Sequence, residues 1–195
     1  MDLTRRALQV APELLGCVLR VRGIGVRIVE VEAYEGADDP ASHAWQGPTA
    51  RNASMFEAGG RIYVYTLHGH ACLNVVCGPE GVASAVLVRA GEVVEGIEEA
   101  RERRPGVRDA WLARGPGNLC RALGVTRADD GTVLGSGGIE LVPGAAPAGV
   151  RAGVRVNVSR AFARPWRFWD AGSASVSAAK LHPAARAAAP RQPSG

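Results

Sequence analysis

Two apolar, β-branched runs, residues 17–21 (CVLRV) and 26–33 (VRIVEVEA), are separated by only the four residues 22–25. A gap that short has no room for the crossover that parallel strands require, so the pair can fold only as an antiparallel hairpin. Three more runs of the same kind, residues 62–67, 72–77 and 83–90, follow one another across glycine-bearing turns. They extend the hairpin into a meander and predict a chain built on a mainly antiparallel sheet.

Helical signals surround these strands. Leu3, Ala7, Leu8, Ala11, Leu14 and Leu15 recur at helical spacing, with Pro12 interrupting, which predicts two short pieces. Residues 94–104 read as a helix ended by Pro105, and in RGPGNLCRALGV (114–125) glycines precede a helical pattern. Glycines there could present backbone N–H groups to a phosphate, or simply lead into a packing helix. GSGGIE (135–140) reads as a plain turn. Residues 35–60 are rich in Gly, Pro, Asp, Ser and Asn without periodicity, and ordered connections of that length are usually functional. At 195 residues and 47% hydrophobic content, one core suffices. The expectation is a single domain over residues 1–181, with residues 182–195 a disordered tail.

The formal charge is +4, and Lys180 is the only lysine, so the positive charge is carried by arginine. A polyanionic partner is suggested if that charge gathers on one face. Cys17, Cys72, Cys77 and Cys120 are too scattered for a disulfide framework. The first residues lack the apolar core of a secretory signal, and no stretch approaches a membrane span. A cytoplasmic protein without membrane contact is expected.

Within VEVEAYEG (29–36), Glu30, Glu32 and Tyr34 share one face of the strand. A solvated sheet face is the ordinary explanation. However, this strand leads into the long loop carrying His43, and that loop leads to a strand carrying Tyr63 and Tyr65, so a pocket of Glu, His and Tyr side chains is conceivable. LHGHACLNVVC offers a competing chemistry: His68, His70 and Cys72 alternate, with Cys77 close behind, and all are zinc-ligand types. Against it, tetrahedral sites usually take ligand pairs from turns, and Gly69 interrupts the strand pattern.

Taken in order, RIVEVEAYEG, ASHA, TARNASMF, GRIYVY, LNVV, VLVRA, VEGIEEAR, GPGNLCRALGV, RPWRFW and SVS are collinear over about residues 14–177. This series resembles the alkyladenine (3-methyladenine) DNA glycosylase family of base-excision repair. The resemblance implies a mixed α/β (α+β) single domain, with a curved, mainly antiparallel sheet flanked by helices and a protruding hairpin that inserts into DNA. It also implies an enzyme without cofactor or metal, probing double-stranded DNA for damaged purines as a monomer. Members flip a damaged nucleotide out of the duplex and hydrolyse its N-glycosidic bond. By motif position, Glu32 would activate water for attack on the sugar C1′, and Arg89 would hold the flipped nucleotide's backbone near it. Tyr34 and Tyr65 would sandwich the base, His43 would contact its edge, and Asn74 would restrict which purines fit. His68 would intercalate, and Arg51 and Asn52, in TARNASMF, would bind DNA.

This sequence departs from the family pattern twice. The family's hairpin-tip tyrosine is His68 here, which implies weaker plugging of the emptied stack and pH-dependent binding. In VRVNVSRAFARPWRFW (154–169) a longer glycine-rich segment is shortened, and Asn157 and Ser159 stand in for small residues. Either the segment closes by a shorter path or the pocket is altered. Two other functions therefore stay open: a lesion-binding protein weak or inactive in catalysis, and a zinc-dependent hydrolase using His68, His70, Cys72 and Cys77. With Lys180 the only lysine, strand cleavage through a lysine Schiff base is not expected.

Overall fold

The computed structural model describes residues 1–179 and 183. Lys180 and, apart from Pro183, the expected tail lie outside the described residues. The described residues form nine strands and three α-helices as a mixed α+β domain: α1 (Ala7–Leu14), β1 (Val18–Val21), β2 (Ile24–Tyr34), β3 (Ile62–Leu67), β4 (His70–Val76), β5 (Ala85–Glu95), α2 (Ile97–Arg103), β6 (Ala113–Arg114), α3 (Pro116–Leu123), β7 (Ile139–Val142), β8 (Val150–Gly153) and β9 (Arg167–Asp170).

The sheet runs β3-β4-β5-β2-β1-β7, with β6 added on β5 and the β8/β9 pair joining β2 through β9. Every pairing between these strands is antiparallel. Both predicted hairpins are tighter than the sequence suggested. β1 and β2 are joined by Arg22 and Gly23 alone, and β3 and β4 by His68 and Gly69, all four residues having positive φ. Two successive left-handed residues make the turn whose twist matches that of the strands. Gly69 therefore does not disturb the strand. It completes the turn, β4 begins at His70, and His68 is left exposed at the hairpin tip.

Alternation along the strands divides the sheet into two faces. Val31 and Ala33 of β2, Ile62 and Val64 of β3, Leu73 and Val75 of β4, and Val86 and Val88 of β5 join the main core. There they pack with Ala7, Val10, Ala11 and Leu14 of α1, Ala100 of α2 and Leu119, Cys120, Ala122 and Leu123 of α3. The helices thus cover one face. The opposite face has only a small apolar cluster, with Met55, Tyr63, Val76 and Ala85 among its members. α1 continues through Pro12 rather than breaking in two. A proline there costs about 3 kcal/mol, and burying Val10 and Leu14 at about 1.5–3 kcal/mol each outweighs it.

The strand β5 runs further than predicted, to Glu95, so α2 starts only at Ile97 after the left-handed Gly96. Strands β8 and β9 arise from sequence with no alternating pattern. Among the described residues, no helix is long and apolar enough to cross a membrane.

Candidate active site

The face left free by the helices carries a cleft of about 1120 Å³. Its walls come from the inward positions of β2–β5 with the hairpin tip at His68, the 40–46 loop, Met55, residues 114–116 at the start of α3, and residues 156–160 and 177–178. Strand alternation explains the sheet's share of the lining, because Tyr34, Tyr63, Tyr65, Cys72, Asn74, Leu87 and Arg89 all occupy the parity opposite to the core. The sequence-predicted Tyr34, His43, Tyr65, His68, Asn74 and Arg89 are brought together here.

Glu32 is fully buried immediately beneath this lining. Three cleft residues hold it: the Tyr34 hydroxyl donates to Oε2 at 2.8 Å, the Val156 backbone N–H donates to Oε1 at 2.7 Å, and Arg89 Nη1 lies 3.4 Å from Oε2. Burial, reinforced by the Glu32 charge, raises the Tyr34 phenol well above its ordinary pKa, so it remains a donor. Burial works against the Arg89 cation, but Glu32 and Glu30 outweigh it and hold the guanidinium protonated.

Arg89 reaches this position through an irregularity. The β2–β5 register shifts around residues 28–31, so Glu30 pairs with Ala90 and Val31 with Val88, leaving Arg89 without a partner across the ladder. Such bulges re-aim a side chain. Arg89 donates from Nε to Glu30 Oε1 at 2.9 Å, and the same oxygen takes Arg167 Nε at 2.7 Å. The Ser177 backbone N–H and hydroxyl complete the shell at 2.7 and 2.9 Å. Burial alone would raise the Glu30 carboxyl, yet Arg89, Arg167 and Ser177 together bring it below the usual range.

His43 stands edge-on to Tyr65, ring centroids 4.4 Å apart, and its Nδ1 lies 3.1 Å from the Tyr63 hydroxyl. Burial, with the nearby Arg51 charge, lowers its pKa and favours the neutral ring. Burial raises the Tyr65 phenol strongly and takes Tyr63 to about 12. Asn74 is buried, its Nδ2 donating to the carbonyls of Tyr63 and Cys72 at 3.0 and 3.3 Å.

The two remaining predicted residues behave differently from each other. Arg51 is exposed and donates to the Thr66 carbonyl at the hairpin. The Asn52 side chain, by contrast, is buried inside its own loop. Its Nδ2 donates to the carbonyls of His43 and Gly47, and its Oδ1 accepts from the Thr49 N–H and hydroxyl. It shapes the loop that delivers His43 instead of facing outward.

The zinc alternative is overturned. Cys72 faces the cleft, Cys77 packs into the helix-covered core, and His68 and His70 are exposed at the hairpin turn. Among the described residues, no three His, Cys, Asp or Glu side chains gather to hold a metal.

Sequence reasoning missed how the 154–164 segment is closed. Arg155 is buried and forms a fork to Asp39 at 2.5 and 2.8 Å, while donating to the Ala33 carbonyl at 2.9 Å. Its guanidinium lies 4.6 Å from the centre of the Tyr34 ring and 5.2 Å from that of Trp166. This staple sets the neighbouring Val156 N–H against Glu32. Asn157 and Ala161 adopt φ of +56° and +46°, so the segment turns through two left-handed residues without glycine. No local pattern marks Arg155 or Asp39, 116 positions apart. Glu30, sharing a face with Glu32, did carry a signal.

The family model described as methylpurine-DNA glycosylase matches residues 1–174. A relative from Frankia casuarinae is 51% identical over 187 residues, covering 89% of this chain and 88% of its own. One from Cutibacterium acnes is 45% identical over 186 residues, covering 91% and 97% respectively. A third, from Nocardia farcinica, is 49% identical over 190 residues, covering 92% and 90%. Each of the three is provisionally named a 3-methyladenine DNA glycosylase.

Proposed function

This chain belongs to the methylpurine-DNA glycosylase family, and we propose that it releases alkylated or deaminated purines from duplex DNA by hydrolysis, with Glu32 activating the water. The observation that carries this reading is the incomplete shell of Glu32. A carboxylate has about four acceptor sites; Tyr34, Val156 and Arg89 occupy three of them. All three partners line the cleft, and in this reading the fourth site takes one water between Glu32 and a sugar held above it.

The chemistry follows from charge. Breaking the N-glycosidic bond develops an oxocarbenium-like sugar, which a carboxylate stabilises while taking the proton of the attacking water. An alkylated purine already bears positive charge and leaves with little acid assistance. Tyr34 and Tyr65 provide aromatic faces for it, an arrangement that favours a cationic base. His43, neutral at pH 7, offers Nε2–H to the base edge when the Tyr63 hydroxyl donates to Nδ1. Asn74, fixed by two backbone carbonyls, restricts the purines admitted. His68, at the tip of the β3–β4 turn, fills the gap left by the flipped nucleotide. Arg51 contacts the DNA backbone beside it, and Asn52 contributes through the loop it folds.

No cofactor enters the scheme. Lys180 is the only lysine in the sequence, so the scheme uses no lysine Schiff base and its product is an abasic site. The test is single-turnover base release from oligonucleotides carrying one defined lesion, comparing wild type with Glu32→Gln. The variant should bind lesion DNA as wild type does and release no base. Release by the variant at the wild-type rate would sink the water-activating role. Wild type that binds damaged DNA and releases none of 3-methyladenine, 7-methylguanine, ethenoadenine or hypoxanthine would leave a lesion-binding protein instead.

A further inference from the structure

We propose that Glu30 and Arg167 are positioning residues for the reaction, setting through Arg89 how much positive charge reaches Glu32. The inference rests on the reading of Glu32 as the base and concerns residues that neither line the cleft nor reach a substrate.

Four charged side chains form one buried row on the cleft side of β2, β5 and β9: Glu30, Glu32, Arg89 and Arg167. Two carboxylates face two guanidiniums, so the row is neutral, but the sharing is unequal. Glu30 holds two cations, Arg89 Nε at 2.9 Å and Arg167 Nε at 2.7 Å, besides both Ser177 donors, while Glu32, whose other donors are the neutral Tyr34 hydroxyl and Val156 N–H, meets a single cation, Arg89 Nη1, at 3.4 Å. Charge-assisted N–H···O bonds are normally about 2.7–2.9 Å, so the Arg89–Glu32 contact is a loose one. Arg167 pairs with Glu32 across the β2–β9 ladder, yet turns its Nε to Glu30. Both cations that could close on Glu32 are thereby drawn to its neighbour.

A purely structural ion pair would not need this asymmetry. A base next to a developing sugar cation does, because a guanidinium tightly bound to it would occupy its lone pairs and oppose the cation. The other groups facing Glu32 do not supply the balance: Tyr34 and Tyr65 stay neutral, and Arg155 is neutralised by Asp39. Glu30 is therefore the counter-charge that keeps Arg89 oriented and loosely held. The sequence showed Glu30 on the face of Glu32, but the work it does depends on Arg167 and Ser177, 137 and 147 positions away.

The test is the pH profile of 3-methyladenine release from methylated DNA under single-turnover conditions. Glu30→Gln leaves the row with an excess cation. The acid limb should move down by about one pH unit, the scale of one nearby charge, and the plateau rate should fall at least ten-fold. Arg167→Gln leaves an excess anion, and its limb should move up. Arg167→Lys keeps the charge and should leave the limb in place. Opposite shifts from two neighbouring substitutions are not produced by loosened packing. If both variants keep the wild-type midpoint, or move in the same direction, the proposal is wrong. Should Glu30→Gln fail to fold, the Arg167 pair decides: a limb that stays in place for Gln refutes it. Glu32→Gln in the same series separates the two readings, since a dead variant alongside unmoved limbs overturns only the tuning by Glu30.

Discussion

Replacing Arg155 by Met tests how the 154–164 segment is held. Arg155 and Asp39 have no side-chain exposure, and their pairing joins the segment to the loop that follows β2. Removing the guanidinium strands the Asp39 carboxylate in the interior. Among the described residues, the other cation near it is Arg164, 3.9 Å from Oδ1, too far to replace a two-bond fork. Breaking a buried pair from one side costs about 3–5 kcal/mol. In a domain of this size each kcal/mol lowers Tm by about 2–4 °C, so the single variant should melt about 6–20 °C below wild type. The double variant Asp39→Asn, Arg155→Met carries no stranded charge. The amide oxygen of the introduced asparagine can still accept the Ala41 N–H now held by Asp39 Oδ1, and a well-packed neutral replacement of a buried pair is often harmless. Its Tm should recover most of the loss. Base release should not recover with it, because the Val156 N–H would no longer be held against Glu32. Thermal unfolding with single-turnover excision on the same samples measures both. A single variant within about 1 kcal/mol of wild type, or a double variant no more stable than the single, would refute the account of the staple.

Two further outcomes are expected. His43 should titrate below the ordinary histidine value of about 6.5, observable as a low midpoint for its ring protons by NMR, because burial and Arg51 disfavour the cation. Its folded pKa lies below its unfolded one, so its contribution to stability is complete above the unfolded value and fades as pH falls through the folded value; a midpoint at or above 6.5 would contradict the buried, neutral ring. His68→Ala should weaken binding to lesion-containing duplex by about ten-fold, the lower range of a lost stacking contact of about 1–3 kcal/mol, while release from a pre-formed complex changes less. Equal affinities for wild type and variant would remove His68 from the wedge role.

Much of this architecture follows from short-range information. A four-residue gap between β-branched runs dictated an antiparallel hairpin, and period-2 alternation put Glu30, Glu32 and Tyr34 on one face of their strand without reference to any distant residue. Those positions are legible because a strand fixes side-chain direction residue by residue. Element ends were less so: β4 starting at His70 instead of residue 72 depended on two left-handed turn residues, and α1 crossing Pro12 depended on burial against the sheet. The 154–164 segment and strands β8 and β9 carry no periodic signal, since their conformation is imposed by what they meet.

The sequence by itself thus determined the β1–β5 meander and the shared face of Glu30, Glu32 and Tyr34, because these follow from covalent geometry and alternation within a few residues. Only the tertiary structure decided how those residues are held. The bulge that aims Arg89, the Arg167 and Ser177 shell around Glu30, and the Arg155–Asp39 staple that sets Val156 against Glu32 all join positions distant in the chain. Such partners are selected by burial of charge, which penalises every unpaired group in the folded interior and acts only once the chain has closed around it.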